Sequence, residues 1–211
     1  MIVLAFDTAL ESCSAAILDG DRVLAARAES MARGHQERLA PLVAELAAEA
    51  RVAFAALGRI GVTVGPGSFT GLRVGLAFAK GLGLALDRPV VGIGTLEAMA
   101  ASEPSGGLSV AAIDARREQI YVQPFVDGLS AAPPQALGVE DAAALIGGLG
   151  RPARLIGSGG ALLAPFFPDA VLGERAGADP VALARLVAAA PETDSPPRPL
   201  YLRAPDAKLP A

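Results

Sequence analysis

Short β-type apolar runs and longer stretches at helical spacing follow one another along this chain in an order that is used twice. The run IVLAF, residues 2–6, ends at Asp7-Thr8. A second run, Ser14 to Leu18, leads through the turn Asp19-Gly20-Asp21 to a third, Arg22 to Ala26, which predicts a β-meander. From about Gln36 to Ala50, the residues Leu39, Leu42, Val43, Leu46 and Ala50 form one helical stripe, with Glu37, Glu45 and Glu49 off it. The strand-like IGVTV, residues 60–64, then runs through GPGSFTG into a helix that reaches Leu86.

The same order returns further on. Ala112-Ile113-Asp114 echoes Ala5-Phe6-Asp7, and Ile120-Tyr121-Val122 echoes the second run. VEDAAALIGGL, residues 139–149, echoes the first helix, and RLIGSGG, residues 154–160, echoes VTVGPGS. Echoes in one shared order predict a duplicated unit of meander, helix, strand and glycine turn. Both periodicities stop in SEPSGG, which divides the chain into lobes 1–103 and 104–211. A last helical stretch over Val181 to Ala190 is expected to pack back on the first lobe. The proline-rich PETDSPPRP that follows cannot form regular structure, and the tail from Ala204 is expected to be mobile.

Composition narrows the classes. Hydrophobic residues make up 52% of the 211 and aromatic ones 4%, so Ala, Leu and Val must fill the core, with close backbone contacts at the 24 glycines. A formal charge of -4 argues against a surface that grips nucleic acid unaided, so any tRNA or DNA contact needs a partner. Cys13 is the one cysteine, which rules out an internal disulfide, and MIVLAFDT lacks the features of a signal peptide; the cytoplasm is the expected compartment. The most apolar helical run, residues 74–86, is broken by Lys80 and ended by Asp87-Arg88-Pro89, short of the roughly 20 apolar residues of a membrane span.

Gly65-Pro66-Gly67-Ser68, between a strand and a helix, suits a phosphate through free N–H groups and the positive helix end. It suits equally a tight turn that lets the helix approach the sheet. Walker A is not met, since no Lys-Ser or Lys-Thr follows at the required spacing, and GxGxxG is not met, since Thr70 stands where the third glycine belongs. Asp7 and Thr8 are candidates to orient a phosphate, against the plainer reading of Asp7 as a turn carboxylate. Residues Asp7, Thr8, Gly65, Gly67, Ser68 and Thr70 thus form a candidate vestigial nucleotide site. His35 is the one histidine and reads as a surface helix start, which leaves no multi-histidine metal site.

The helix from Phe69 to Leu86 carries only Arg73 and Lys80 as charges. Gly71, Gly75, Ala79 and Gly83 recur every fourth residue, a smooth stripe for a close neighbour, either another helix or the sheet. The expected subunit interface comprises Leu39, Val43, Leu46, Leu72, Arg73, Gly75, Leu76, Ala79, Lys80 and Gly83. The alternative is that both helices pack on each other within one chain.

FDTALESCSAAIL, VTVGPGSFTGLRVGLAFAKGLGLALDRPVVGIGTLEAM and PLYLRAPDAK closely resemble the bacterial TsaB (YeaZ) family, and the likeness runs over nearly the whole chain. The resemblance implies the actin-like, Hsp70-like ATPase (ASKHA) fold, an α/β architecture of two lobes, each a mixed sheet flanked by helices. It implies a non-catalytic partner of TsaD, the subunit that transfers threonylcarbamoyl to N6 of adenosine 37 in tRNA. A TsaE-type ATPase docks on that pair, and tRNA is met only through the complex. The family dimerises through its two N-terminal helices when isolated, and exchanges that contact for TsaD. The catalytic sister family carries a metal-binding His-x-x-x-His where this chain has Thr95 and Met99, so no metal and no required cofactor are expected here. Binding of ATP or ADP stays open. The competing expectations are a small-substrate phosphotransferase of the same fold, a metallopeptidase, and a regulatory binding scaffold outside tRNA modification.

Overall fold

The structure, a computed structural model, describes residues 1–173, 175–191 and 195–203. The expected mobile tail from Ala204 lies outside the described residues. The first sheet is built from β1 (Ile2–Asp7), β2 (Ser12–Asp19), β3 (Arg22–Ser30), β4 (Leu57–Gly65) and β5 (Val90–Gly94), in the order β3-β2-β1-β4-β5. The first three pair antiparallel as the meander, while β4 and β5 run parallel to β1 on its other side. Parallel neighbours need long crossovers, which α1 (His35–Ala50) and α2 (Phe69–Leu86) supply. Their inner faces cover one side of the sheet, where Phe6, Ile17, Leu39, Val43, Leu46, Val62, Leu76 and Ala79 form one core.

The second sheet repeats the plan with β6 (Leu108–Asp114), β7 (Gln119–Val126), β8 (Leu129–Ser130), β9 (Gln135–Gly138), β10 (Arg154–Ile156) and β11 (Val171–Gly173). Its order is β11-β10-β6-β7-β8, with β9 also paired to β7. Like β1, β6 stands between an antiparallel and a parallel neighbour. The crossovers are α4 (Val139–Leu149) and α5 (Gly160–Leu163), the latter only 4 residues where α2 has 18.

The helix that closes each unit packs between the lobes. α3 (Thr95–Ser102) follows β5 yet packs on β6 and β7 as well as on its own strands. α6 (Pro180–Ala189) follows β11 yet lies on β1, β2 and β4. Asp179 caps α6 by accepting the Val181 and Ala182 N–H groups, both at 2.9 Å, and Pro180 opens the helix where no N–H is needed. At the other end the buried Arg59 of β4 donates Nη1 to the carbonyls of Val187 at 2.9 Å and Ala190 at 2.7 Å. Those are among the carbonyls that a helix C-terminus leaves unpaired. Gly61 lies beneath Val187, and any side chain there would collide with it. One core of Val3, Ala5, Leu18, Leu96, Met99, Ile113, Phe125, Leu183 and Val187 therefore joins the two sheets.

Among the described residues, α2 is the one helix long and apolar enough by length and composition to cross a membrane. Its place is the crossover between β4 and β5, with Gly71, Leu72, Gly75, Leu76, Ala79 and Gly83 buried.

Candidate functional site

The carboxyl ends of β1, β4, β6 and β10 border a cleft of about 880 Å³ between the lobes, the usual place for a ligand in an open α/β sheet. From the first lobe it is lined by the loop after β1, the start of α1 and the turn into α2. From the second it is lined by Asp114 to Arg116, Ser158 and Arg175.

Asp7 does not reach this cleft. It is 0% exposed; its Oδ1 accepts the Thr63 hydroxyl and, at 2.8 Å, the Ala9 N–H. Its Oδ2 lies under Gly177, where a Cβ would stand 3.4 Å away, and the Ala178 backbone eases the charge. Burial pushes the carboxyl above its ordinary range, against the pull of the Thr63 hydroxyl. Thr8 is buried too, its hydroxyl donating to the Gly71 carbonyl at 2.8 Å. Of the two readings of Asp7, the bond from the Ala9 N–H is that of the turn carboxylate, and Asp7 and Thr8 receive α2 at the end of β1. Gly71 fits there because any side chain would strike the Thr8 carbonyl, and a Cβ on Gly75 would stand 2.7 Å from Thr8 Oγ1.

The glycine turn is closed in the same way. The Ser68 N–H donates to the Ala9 carbonyl at 2.7 Å, Gly67 sits against that carbonyl, and the Ser68 hydroxyl accepts the Gly71 N–H at 3.3 Å as the helix cap. Gly65, at φ 115°, is covered by the Leu200 carbonyl, 2.6 Å from where its Cβ would stand. Gly67, Ser68 and Thr70 line the cleft; Gly65 does not. Of the two readings of the turn, close approach of helix to sheet is the one this geometry provides.

The second lobe keeps its equivalent open. Asp114, at the end of β6, is exposed; its Oδ1 accepts the Arg116 N–H at 2.7 Å and its own N–H donates to Ser158 Oγ at 3.0 Å. Arg116, Arg117 and Glu118 follow one another at φ 65°, 56° and 60°, a left-handed run that non-glycine residues seldom adopt. Arg33, Arg116, Arg175 and Arg203 line the cleft beside Glu11, Glu37 and Asp114. Sequence reasoning missed these arginines, because residues so far apart carry no spacing signal. Arg175 and Arg154 both bind Glu103, at 2.9 and 2.7 Å. Burial works against the Glu103 charge, and the two guanidiniums overcome it and hold the carboxyl below the usual range.

His35 lines the cleft at the start of α1, with Nε2 3.0 Å from the Leu10 carbonyl, so that nitrogen carries the hydrogen. Among the described residues, no three His, Cys, Asp or Glu side chains converge so as to hold a metal ion. Thr95 and Met99 are buried on α3, and Met99 fills the space beside Gly157. Cys13 is buried in the core, and burial pushes its thiol up to about 11.

The expected interface residues divide between core and surface. Leu39, Val43, Leu46, Leu72, Gly75, Leu76, Ala79 and Gly83 are buried within the chain; Arg73 and Lys80 are exposed. The stripe of small residues meets the sheet, with Gly83 against Val90 and Gly75 against Val62. The outward face of α2 is instead Phe69, Arg73, Ala77, Lys80, Gly81 and Leu84; Phe69 is 46% and Leu84 87% exposed. A groove of about 530 Å³ runs between α1 and α2, lined by Leu39, Ala40, Phe69, Arg73, Ala77 and Phe78 among others. The Arg73 guanidinium stacks 3.6 Å above the Phe69 ring.

Comparison with known proteins agrees with this picture. The family model for TsaD, tRNA N6-adenosine threonylcarbamoyltransferase, matches residues 23–145. Escherichia coli TsaB, a tRNA threonylcarbamoyladenosine biosynthesis protein, is 38% identical over 57% of this chain and 53% of its own length. An uncharacterised Mycobacterium leprae protein is 38% identical over 98% of this chain and 56% of its own; the chain thus spans about half the length of these relatives. The solved structure of YeaZ from Pseudomonas aeruginosa superposes with a TM-score of 0.73 at 30% identity, covering 89% of this chain and 90% of that one. A Clostridium difficile dehydratase activator, at 9% identity and a TM-score of 0.54 over 89% of this chain and 94% of its own, shares the fold alone. With the duplicated actin-like architecture and these matches together, the chain belongs to the TsaB (YeaZ) family.

Proposed function

We propose that this chain serves tRNA threonylcarbamoyladenosine biosynthesis as the non-catalytic subunit that pairs with a TsaD-type transferase. Family membership supports the pathway. The observation that carries the subunit role is the outward face of α2, where Ala77 and Leu84 stand exposed and Phe69 half-exposed beside the groove to α1. A face of this kind on an otherwise packed helix suits a protein partner. The same surface pairs two copies of the chain when the transferase is absent, and the pair offers a docking place to a TsaE-type ATPase. Transfer chemistry stays with the partner, tRNA is met only through the assembly, and the work takes place in the cytoplasm.

The first lobe supports the absence of chemistry in this subunit. Asp7 lies beneath Gly177, and the Ser68 amide is held by Ala9. These groups do not fit a nucleotide phosphate as they stand, so the reading includes no cofactor for this subunit. A phosphotransferase would need Asp7 in the cleft.

The test is co-elution of the purified chain with a TsaD-type partner. The parent is expected to shift into a heterodimer peak and Ala77→Glu to remain apart from it. A heterodimer formed equally well by Ala77→Glu contradicts the proposed face.

A further inference from the structure

Residues 195–203 form neither helix nor strand, yet the segment from Pro197 is tied down along its course. Pro197 lies over β5, its Cβ 2.8 Å from where a Gly92 Cβ would stand. Leu200 donates its N–H to the Val64 carbonyl of β4 at 2.7 Å, and its own carbonyl roofs Gly65. The Tyr201 ring lies 5.5 Å from the Phe69 ring, with its hydroxyl 3.4 Å from Arg73 Nε. Arg203 then crosses to the second lobe, where Nη1 donates to the Ala115 carbonyl at 2.9 Å, beside the cleft. One short segment thus touches the edge of the first sheet, the outward face of α2 and the wall of the second lobe.

We infer that this segment is a strap that couples the outward face of α2 to the opening of the interlobe cleft. A backbone hydrogen bond, side-chain hydrogen bonds and a ring contact hold it, without a buried core of its own, so it opens ahead of the sheets. Tyr201 shares its contact with Phe69 and Arg73, the residues at the start of the uncovered face. A body settled there buries Tyr201 in the same contact, holds Leu200 on β4 and keeps Arg203 on Ala115 at the wall of the cleft. A bare face leaves the strap free to lift, which uncovers Gly65 and frees the Ala115 carbonyl at the wall of the cleft. The biological meaning rests on the pairing proposed above; the coupling itself lies within this chain.

Hydrogen exchange on the full chain without any partner tests the coupling, and its outcome stands even if pairing with a transferase fails. Phe69→Ala alters an exposed side chain on α2 only, yet it is expected to speed exchange about tenfold at the Leu200 amide and across the cleft at Ala115 and Gln119. Arg203→Ala is expected to do the same at Leu200. Tyr201→Ala serves as the second variant should Phe69→Ala lose its cooperative thermal transition. Changes confined to the first turn of α2, or a Leu200 amide that ignores Arg203→Ala, overturn the inference.

Discussion

Thr63 donates its hydroxyl to the carboxylate of Asp7 where neither residue meets solvent. A charge at the end of β1 is thereby enclosed, and its ionised form is disfavoured by burial. The folded-state pKa lies above the unfolded one, so the protonated carboxyl favours folding below the ordinary value of 3.8 and that stability is lost as pH rises through the raised value.

Asp7→Asn keeps an acceptor for Thr63 and removes the titration. The variant is expected to be more stable than the parent at pH 8, by about 1 kcal/mol, with the difference shrinking toward pH 4. Paired urea unfolding curves check it. Glu29 and Glu45, held low by Arg38, act in the opposite sense. Both proteins share them, so the difference between the curves isolates Asp7.

Arg59→Ala is expected to destabilise by about 3 kcal/mol, because the carbonyls of Val187 and Ala190 lose a buried charged donor. Gly61→Ala, which drives α6 off β4, is expected to cost about 1–3 kcal/mol. Chemical denaturation measures both. A value within about 0.5 kcal/mol of the parent for either variant contradicts the docking of α6 on the first lobe.

Glu103→Gln leaves Arg154 and Arg175 facing a neutral amide. Its folded-state pKa is depressed, so the stability it supplies is present above the ordinary carboxylate value and lost as pH falls through the depressed one. The variant is expected to be about 1–2 kcal/mol less stable at pH 7 and to converge on the parent in acid, as thermal melts across pH would show.

The duplication was legible in the sequence because Asp7 and Asp114 both end a strand, and a glycine turn follows the helix in each half. The extents of α1 and α2 were legible from their apolar spacing. The return of the last helix to the first lobe was among the expectations, whereas the packing of α3 on β6 and β7 was not, since a helix pattern tells which face is buried and not which sheet buries it. The small-residue stripe of α2 shows the same limit: repetition every fourth residue announces a close neighbour, and the sheet proved to be that neighbour. Phe69, Ala77 and Leu84 on the opposite side were accordingly overlooked. Asp7 was judged from its place at a strand end, whereas its burial depends on Gly177, far along the chain. Residues 195–199 of the proline-rich segment are irregular as expected, but the bond from Leu200 to Val64 has no local signature.

The most direct measurement is threonylcarbamoyl transfer to tRNA by a TsaD-type subunit, a TsaE-type ATPase and preformed donor, with the parent chain, with Ala77→Glu and without the chain. Ala77 is exposed, so its replacement is expected to change stability by no more than about 0.5 kcal/mol, whereas Ala79 is 0% exposed and a charge there would report unfolding. The account predicts transfer with the parent, and loss of transfer with a folded Ala77→Glu and in the reaction lacking the chain. Full transfer without the chain would contradict it.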